Sequence, residues 1–201
     1  MVKEKIINLS QLDPSGVYSY LDYLSWQFEQ RVELIKGRLF PMAAPSRKHQ
    51  DILLFLGSTF LQTVGKKSCR VYVAPFDVRL YDNQKPVKQN QDFNTVVQPD
   101  VCIVCDLEKL DDKGCFGAPD LMVEILSPGN SKKEMRTKLR LYEENAVKEY
   151  WIVDFDHEQV FQFILNEVGL YNPPIIYVSD EVLICALFPD LKIDLEGLFA
   201  A

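Results

Sequence analysis

Three charged residues occupy positions where a folded chain normally places apolar side chains. Asp100 opens the apolar stretch VCIV and Glu124 interrupts the apolar stretch LMVEIL. Lys138 falls on the apolar stripe of a predicted helix that begins near Ser131. Burying a charge is costly unless the charge is paired or binds an ion. These three residues are therefore the first candidates for chemistry.

The spacing of the two carboxylates predicts a metal site. If the strand after Asp100 runs antiparallel to the strand that contains Glu124, the two side chains face each other with Cβ atoms about 5 Å apart. Two carboxylates that close repel, and the pKa of each rises unless a cation lies between them. Oxygen ligands without a nearby His or Cys favour Mg²⁺ or Mn²⁺, which could activate a water for attack on a phosphate. Lys138 would orient that water or stabilise developing negative charge, unless the three residues form a buried ion-pair network with a purely structural role.

The elements that must position these residues follow from hydrophobic periodicity and turn residues. A βαβ unit spans residues 119–154, and its helix begins at a capping box from Ser131 to Glu134 that turns Lys138 toward the sheet. The other predicted elements are helical turns before residue 30, a hairpin at 32–43 turning at Lys36-Gly37, a helix at 46–65 capped by Ser46, strands at 69–82 and 96–106 joined by a polar loop, a plain connection at 107–118, a hairpin strand at 158–166 and short C-terminal strands.

Four other polar residues need a structural or functional explanation. His49 falls on the apolar stripe of a predicted helix. It is either a buried structural histidine or a group that acts next to a phosphate or a metal-bound water. Asp77 interrupts a predicted strand after an Ala-Pro pair, which indicates a bulge or an edge position. Asp120 lies roughly 13 Å from Glu124 along an extended strand, too far to share an ion, so a structural or turn-capping role is expected. Glu33, at the start of the predicted hairpin, is expected to be exposed.

Length and composition limit the possible classes of protein. With 201 residues, 47% of them hydrophobic and 25% charged, the chain is expected to form a single soluble domain over residues 1–201. A net charge of −7 means that nucleic-acid binding would depend on a local basic patch. No apolar run could span a bilayer and no secretory signal is recognisable, so no membrane association and a cytoplasmic location are expected. Five scattered cysteines agree with a reducing compartment, and the C-x-x-C of Cys102 and Cys105 lacks the partners of a zinc site.

Four segments together resemble the PD-(D/E)XK nuclease superfamily, and within it a bacterial family of restriction endonucleases: VELIKGRLFPMA, VVQPDVCIVCD, PDLMVEILSPGNS and KLRLYEENAVKEYWIVD. The resemblance covers about residues 30–165 and implies an α/β fold. That fold is a restriction endonuclease-like core with a mixed β-sheet flanked by helices (α-β-β-β-α-β), here with an extra N-terminal hairpin and C-terminal strands. The resemblance also implies that Asp100 and Glu124 bind the metal. The lysine of the superfamily motif is replaced by Leu126, and Lys138 on the next helix takes its place.

The resemblance also adds Glu33 and Asp77 as secondary candidates, because both coincide with motif positions. The leading interpretation is a Mg²⁺-dependent (or Mn²⁺-dependent) endonuclease that hydrolyses DNA and acts as a homodimer, since double-strand cleavage needs two sites. The alternatives are a catalytically silent nucleic-acid-binding or protein-interaction module on the same fold, and a nuclease for RNA or a small phosphodiester. The intact Asp100, Glu124 and Lys138 argue against the silent module, while the net charge of −7 favours the alternatives.

Overall fold

The computed structural model describes residues 5–65, 68–81, 93–127 and 132–200, with only the backbone of residues 132 and 133. The helices are α1 (Tyr20–Ser25), α2 (Arg47–Thr63), α3 (Lys132–Glu144) and α4 (Leu195–Ala200). The strands are β1 (Val32–Ile35), β2 (Arg38–Pro41), β3 (Arg70–Val73), β4 (Val78–Arg79), β5 (Val96–Val97), β6 (Val101–Val104), β7 (Leu110–Asp111), β8 (Gly114–Phe116), β9 (Leu121–Ile125), β10 (Glu149–Asp154), β11 (Gln159–Ile164), β12 (Ile175–Val178), β13 (Val182–Ile184) and β14 (Lys192–Asp194). The predicted Ser131 cap and most of the predicted polar loop lie outside the described residues.

Six strands form a mixed sheet, called the central sheet below, in the order β12-β11-β10-β9-β6-β3. Its strands β9 and β10 are parallel, and the other neighbouring pairs are antiparallel. The helix α3 connects the two parallel strands, as in a βαβ unit. In chain order, α2, β3, β6, β9, α3 and β10 form the expected α-β-β-β-α-β core. The predicted fold class is confirmed.

The two faces of the central sheet pack against different helices, because successive side chains of a strand point to opposite faces. On one face, Ile52 and Leu56 of α2 belong to the same buried cluster as Val123 of β9. On the other face, Tyr142 of α3 belongs to a cluster with Met122. Each helix buries one stripe of its surface because apolar residues recur with the helical period. Glu124 has the parity of Met122, and so its side chain is on the α3 face.

The register of β6 and β9 places Asp100 beside Glu124. The two strands are antiparallel, and Val101 is opposite Val123. Continuing this register by one residue sets Asp100 opposite Glu124. The condition on which the predicted carboxylate pairing depended is therefore met.

A second six-stranded sheet has the order β2-β1-β5-β4-β8-β7. The stretch 69–82 is predicted as one strand but is divided between the two sheets, into β3 and β4, with Pro75 between them. The stretch 96–106 is divided in the same way, into β5 and β6 on either side of Pro99. Proline has no N–H to donate to a strand ladder, and so each strand is interrupted at that residue.

Two hairpins belong to the second sheet. The predicted hairpin of β1 and β2 turns at Lys36 and Gly37, whose φ angles of 50° and 79° match the turn geometry that suits paired strands. The segment 107–118, predicted as a plain connection, contains the hairpin of β7 and β8. Its Gly114 has a φ of 120°, and a Cβ there would lie 2.1 Å from the carbonyl oxygen of Asp77. These strands have only two and three residues, which is too short for a recognisable period.

A fully buried carboxylate that the sequence pattern did not single out anchors the C-terminal segment. Glu149 in β10 accepts hydrogen bonds from Trp151 Nε1 at 2.7 Å and from Gln162 Nε2 at 2.6 Å. It also accepts the backbone N–H groups of Ala186 at 3.2 Å and Leu187 at 2.9 Å. Within the described part of the chain no cation pairs with Glu149, and hydrogen-bond donors alone compensate its buried charge.

The cysteines differ from the sequence prediction at one pair. Cys69 and Cys105 form a disulfide that joins the start of β3 to the end of β6, whereas Cys102 is free and buried. The scatter of the cysteines did not indicate this pairing. Disulfides are rare in reducing compartments, so the cysteines no longer support a cytoplasmic location. Among the helices that the structure describes, none is both long enough and apolar enough to cross a bilayer.

Candidate functional site

A cleft of about 230 Å³ opens at the end of the central sheet where β6 begins and β9 ends. The β1–β2 hairpin, the first turn of α2 and one face of α3 contribute the other walls. Its charged lining residues are Arg31, Glu33, Asp100, Glu124, Glu134 and Lys138, and His49 lies with them. The cleft thus brings together all three leading candidates from the sequence and two of the secondary ones.

Lys138 lies between two carboxylates. Its Nζ is 2.9 Å from Glu124 Oε1 and 2.9 Å from Glu33 Oε2, and the residue is buried. Burial alone would lower the pKa of Lys138, but the carboxylates of Glu124 and Glu33 outweigh that effect and raise the pKa. The ammonium is therefore charged at neutral pH and cannot serve as a proton acceptor there.

The expectation that Glu33 is exposed is wrong. Its side chain accepts the backbone N–H of Gln98 at 2.9 Å as well as the ammonium of Lys138 at 3.0 Å, and the residue is only 2% exposed. The physical reason is that β1 is an interior strand of the second sheet, between β2 and β5, so all four of its residues are buried. A strand of four residues is too short for its sequence to indicate that it lies in the interior of a sheet and is buried.

Glu124 is the most strongly perturbed carboxylate of the cleft. Burial raises its pKa to about 7, against the opposing effect of Lys138 and with the help of Glu33 and Asp100. The hydroxyl of Tyr142 donates a hydrogen bond of 2.5 Å to the same oxygen that Lys138 contacts, Oε1. The sequence placed Tyr142 only among the apolar residues of α3. Its position four residues after Lys138 was the one available signal that both reach the same point.

Asp100 is held by the backbone of the neighbouring strand and by a histidine. Its Oδ2 accepts the N–H of Ile125 at 2.7 Å and lies 3.3 Å from Nε2 of His49. The side chain of Ser46 accepts the backbone N–H of His49 at 3.2 Å and so fixes the start of α2. The Nδ1 of His49 is buried without a hydrogen-bond partner among the described residues.

The donor set fits a hard divalent cation. Asp100 Oδ1 and Glu124 Oε2 accept no hydrogen bond from the described residues. Together with Glu33 they give the cluster three carboxylates against the single ammonium of Lys138. Within the described ranges no group of three or more His, Cys, Asp or Glu side chains is placed to hold a metal ion. The protein would therefore supply two carboxylate ligands and leave the remaining positions to water and substrate, as is usual for Mg²⁺.

The remaining two secondary candidates lie outside the cleft. Asp120 accepts the backbone N–H of Cys105 at 2.8 Å and pairs with Lys148 Nζ at 2.6 Å, at the opposite end of β9 from Glu124. Asp77 accepts a hydrogen bond of 2.8 Å from the side chain of Gln98. Since the backbone of Gln98 contacts Glu33, Asp77 supports the cleft from behind without lining it.

The raised pKa of Glu124 predicts that the metal-free protein loses stability as the pH increases. Because its folded-state pKa is about 7 and its ordinary value is 4.5, the folded protein binds this proton more tightly than the unfolded chain does. The stabilisation is complete below the ordinary value and is lost as the pH rises through the folded value. With a chelator present, we expect the stability difference between wild type and Glu124→Gln to fall by about 2 kcal/mol from about pH 5.5 to about pH 8. Urea denaturation at the two pH values measures it, and parallel pH curves for both proteins would contradict it.

The arrangement of the central sheet and its two helices is that of the restriction endonuclease-like fold. The chain belongs to the Uma2 family, described as "Putative restriction endonuclease", whose profile matches residues 20–196. An "Uncharacterized protein" from Synechocystis sp. is 24% identical over 151 residues, which cover 74% of each chain. A crystal structure of a "putative nuclease belonging to DUF820" from Anabaena variabilis superimposes with a TM-score of 0.71 at 18% identity. That similarity covers 91% of this chain and 98% of the other and concerns the fold alone.

Proposed function

We propose that this protein is a metal-dependent endonuclease that hydrolyses phosphodiester bonds of DNA with Mg²⁺ or Mn²⁺. The observation that carries the proposal is the convergence of Asp100, Glu124 and Lys138, from two strands and a helix, in one solvent-connected cleft. A buried cluster with more carboxylates than cations costs stability, and a purely structural network has no need of that excess. The family description supports the same activity.

In the proposed reaction, Asp100 and Glu124 would hold the cation. The N–H of Ile125 fixes the orientation of the Asp100 carboxylate. When bound, the cation supplies a polarised phosphoryl oxygen and a water of lowered pKa. Lys138 remains protonated, because the two carboxylates beside it raise its pKa. It therefore stabilises the negative charge that develops on the phosphate oxygens and does not abstract the proton of the water.

We further propose that the substrate is double-stranded DNA and that two copies act together, because each copy has one such cleft and two strands must be cut. The edge of the central sheet offers a means of association. In the described chain β12 pairs only with β11, and Ile175, Ile176 and Val178 are 47%, 52% and 40% exposed. An apolar edge strand can pair with the same strand of a second copy. A cytoplasmic location and a single domain stay predictions.

The proposal predicts opposite outcomes for two matched aspartates. Asp100 and Asp120 both follow a proline and are 8% and 9% exposed. Each carboxylate also accepts one backbone N–H. Asp100 accepts that of Ile125 at 2.7 Å and Asp120 accepts that of Cys105 at 2.8 Å. Only Asp100 lines the cleft with Glu124. We expect Asp100→Asn to slow the Mn²⁺-dependent nicking of supercoiled plasmid at least about tenfold, and Asp120→Asn to nick at the wild-type rate.

Thermal unfolding with and without Mn²⁺ provides a second measurement on the same proteins. A ligand that binds only the folded state raises Tm, so we expect Mn²⁺ to raise Tm in wild type and Asp120→Asn but not in Asp100→Asn or Glu124→Gln. Equal shifts in all four proteins would exclude the metal site. A wild type that gains stability from Mn²⁺ but cuts neither DNA nor RNA would support the catalytically silent module instead.

A further inference from the structure

Arg31 is a cation of the cleft wall whose role the metal site does not explain. It immediately precedes β1 and lies two residues before Glu33. Its backbone carbonyl accepts the N–H of Met42 at 2.9 Å, which fixes the backbone at the base of the hairpin. The side chain is partly exposed and lines the same cleft as Asp100 and Lys138.

The guanidinium of Arg31 is held in place by Gln98. Arg31 Nε donates a hydrogen bond of 2.9 Å to Gln98 Oε1. The amide nitrogen of Gln98 donates to Asp77 at 2.8 Å and to the hydroxyl of Tyr23 at 3.1 Å, while its backbone N–H donates to Glu33 at 2.9 Å. Both the amide oxygen and the amide nitrogen of Gln98 are therefore engaged in hydrogen bonds. The guanidinium therefore has a fixed orientation relative to the carboxylate of Glu33.

The donors of Arg31 are not all used. Among the described residues, no carboxylate forms an ion pair with Arg31, and its Nη2 is buried without a hydrogen-bond partner. Lys138 differs, because its ammonium is held between Glu33 and Glu124 at 2.9 Å from each. A buried donor without a partner is uncommon and needs an explanation, and a ligand that brings an acceptor to the guanidinium would supply one.

We propose that Arg31 binds the non-bridging oxygens of a nucleic-acid backbone phosphate that enters the cleft. This inference rests on the proposed nuclease function and adds a substrate-positioning residue to it. A guanidinium matches the phosphate group with two parallel hydrogen bonds and keeps its charge at any relevant pH. Such a cation is needed because Glu33, Asp100, Glu124 and Glu134 make the cleft wall acidic toward a polyanion.

The test is the binding of a labelled DNA duplex, followed by fluorescence anisotropy with Ca²⁺ in place of the catalytic cation. We expect Arg31→Gln to weaken binding about tenfold. The slope of the logarithm of the binding constant against the logarithm of salt concentration should fall in magnitude by about 1, as expected for the loss of one phosphate contact. Arg31→Lys should retain the salt slope of wild type with weaker binding, since it keeps the charge without the planar fork. Arg70→Gln is the control. Arg70 is exposed and lies at the end of β3 that is remote from the cleft, paired with Val104.

Three results would overturn the inference. The first is equal duplex binding by wild type and Arg31→Gln, and the second is a wild type that binds no duplex. The third is a loss of the Mn²⁺ effect on Tm in Arg31→Gln, which would mean that Arg31 only maintains the shape of the site around Glu33. Failure of the nuclease proposal is recognised separately, because it appears as a wild type without metal-dependent cleavage. If Arg31→Gln binds the duplex as tightly as wild type and wild type nicks plasmid normally, only the phosphate-binding role of Arg31 is excluded and the nuclease proposal stands.

Discussion

Replacement of Lys138 with methionine is expected to slow the Mn²⁺-dependent nicking of plasmid DNA by about a hundredfold to a thousandfold. Methionine has nearly the same length and no charge, so the variant removes the ammonium that lies 2.9 Å from Glu124. In the proposed reaction that ammonium faces the negative charge that develops on the phosphate. Initial rates of conversion of supercoiled to open-circular plasmid, at saturating Mn²⁺, measure the effect.

A loss of activity through unfolding must be distinguished from a loss of chemistry. Removing Lys138 leaves Glu33 and Glu124 without their cation, and breaking a buried ion pair costs about 3–5 kcal/mol. The double variant Glu33→Gln/Lys138→Met removes one of those carboxylates as well and is expected to recover much of that stability but none of the nicking. Lys138→Arg, which keeps the charge, is expected to retain part of the rate. A folded Lys138→Met protein that nicks as fast as wild type would show that Lys138 is not the catalytic lysine.

A loss of stability as large as that of Lys138→Met is expected for Glu149→Ala, although Glu149 does not line the cleft. The substitution removes the acceptor of the buried side chains of Trp151, Gln162 and Cys185 and of the partly buried backbone N–H groups of Ala186 and Leu187. Each unsatisfied buried donor costs about 1–3 kcal/mol, partly recovered by entering water, so we expect a total loss of about 3–5 kcal/mol. Urea denaturation monitored by tryptophan fluorescence measures it.

The control for this prediction is Glu167→Ala, at an exposed turn position, for which we expect a change within about 0.5 kcal/mol. The stability of Glu149→Gln should lie between those of the two variants. The amide keeps one acceptor oxygen, but its NH₂ group replaces the other oxygen and faces the donors of the neighbouring residues. If the chain is a single domain, as its length predicts, all these proteins unfold in one transition. A Glu149→Ala protein as stable as wild type would show that water replaces the carboxylate at no cost.

Much of the fold follows from local rules that operate within one element. Periodicity and the Ser46 cap predict α2, and the turn residues Lys36 and Gly37 predict the first hairpin. The two prolines at which long strands change sheet were visible in the sequence, but their consequence was not. The rule that proline leaves a gap in the ladder does not say that the chain continues in a second sheet.

The sequence by itself indicated that Asp100, Glu124 and Lys138 face inward and that Asp100 and Glu124 come together if their strands are antiparallel, as they are. It also set the phase of α3 that turns Lys138 toward them. Only the tertiary structure decided that Glu33, 105 residues away along the chain, receives the same ammonium, and that Arg31 lies beside it with unused donors. Periodicity fixes the face on which a side chain lies, but the partner on that face depends on how the second sheet docks against α3. That docking is governed by many weak contacts spread over the whole core, and no short motif encodes it.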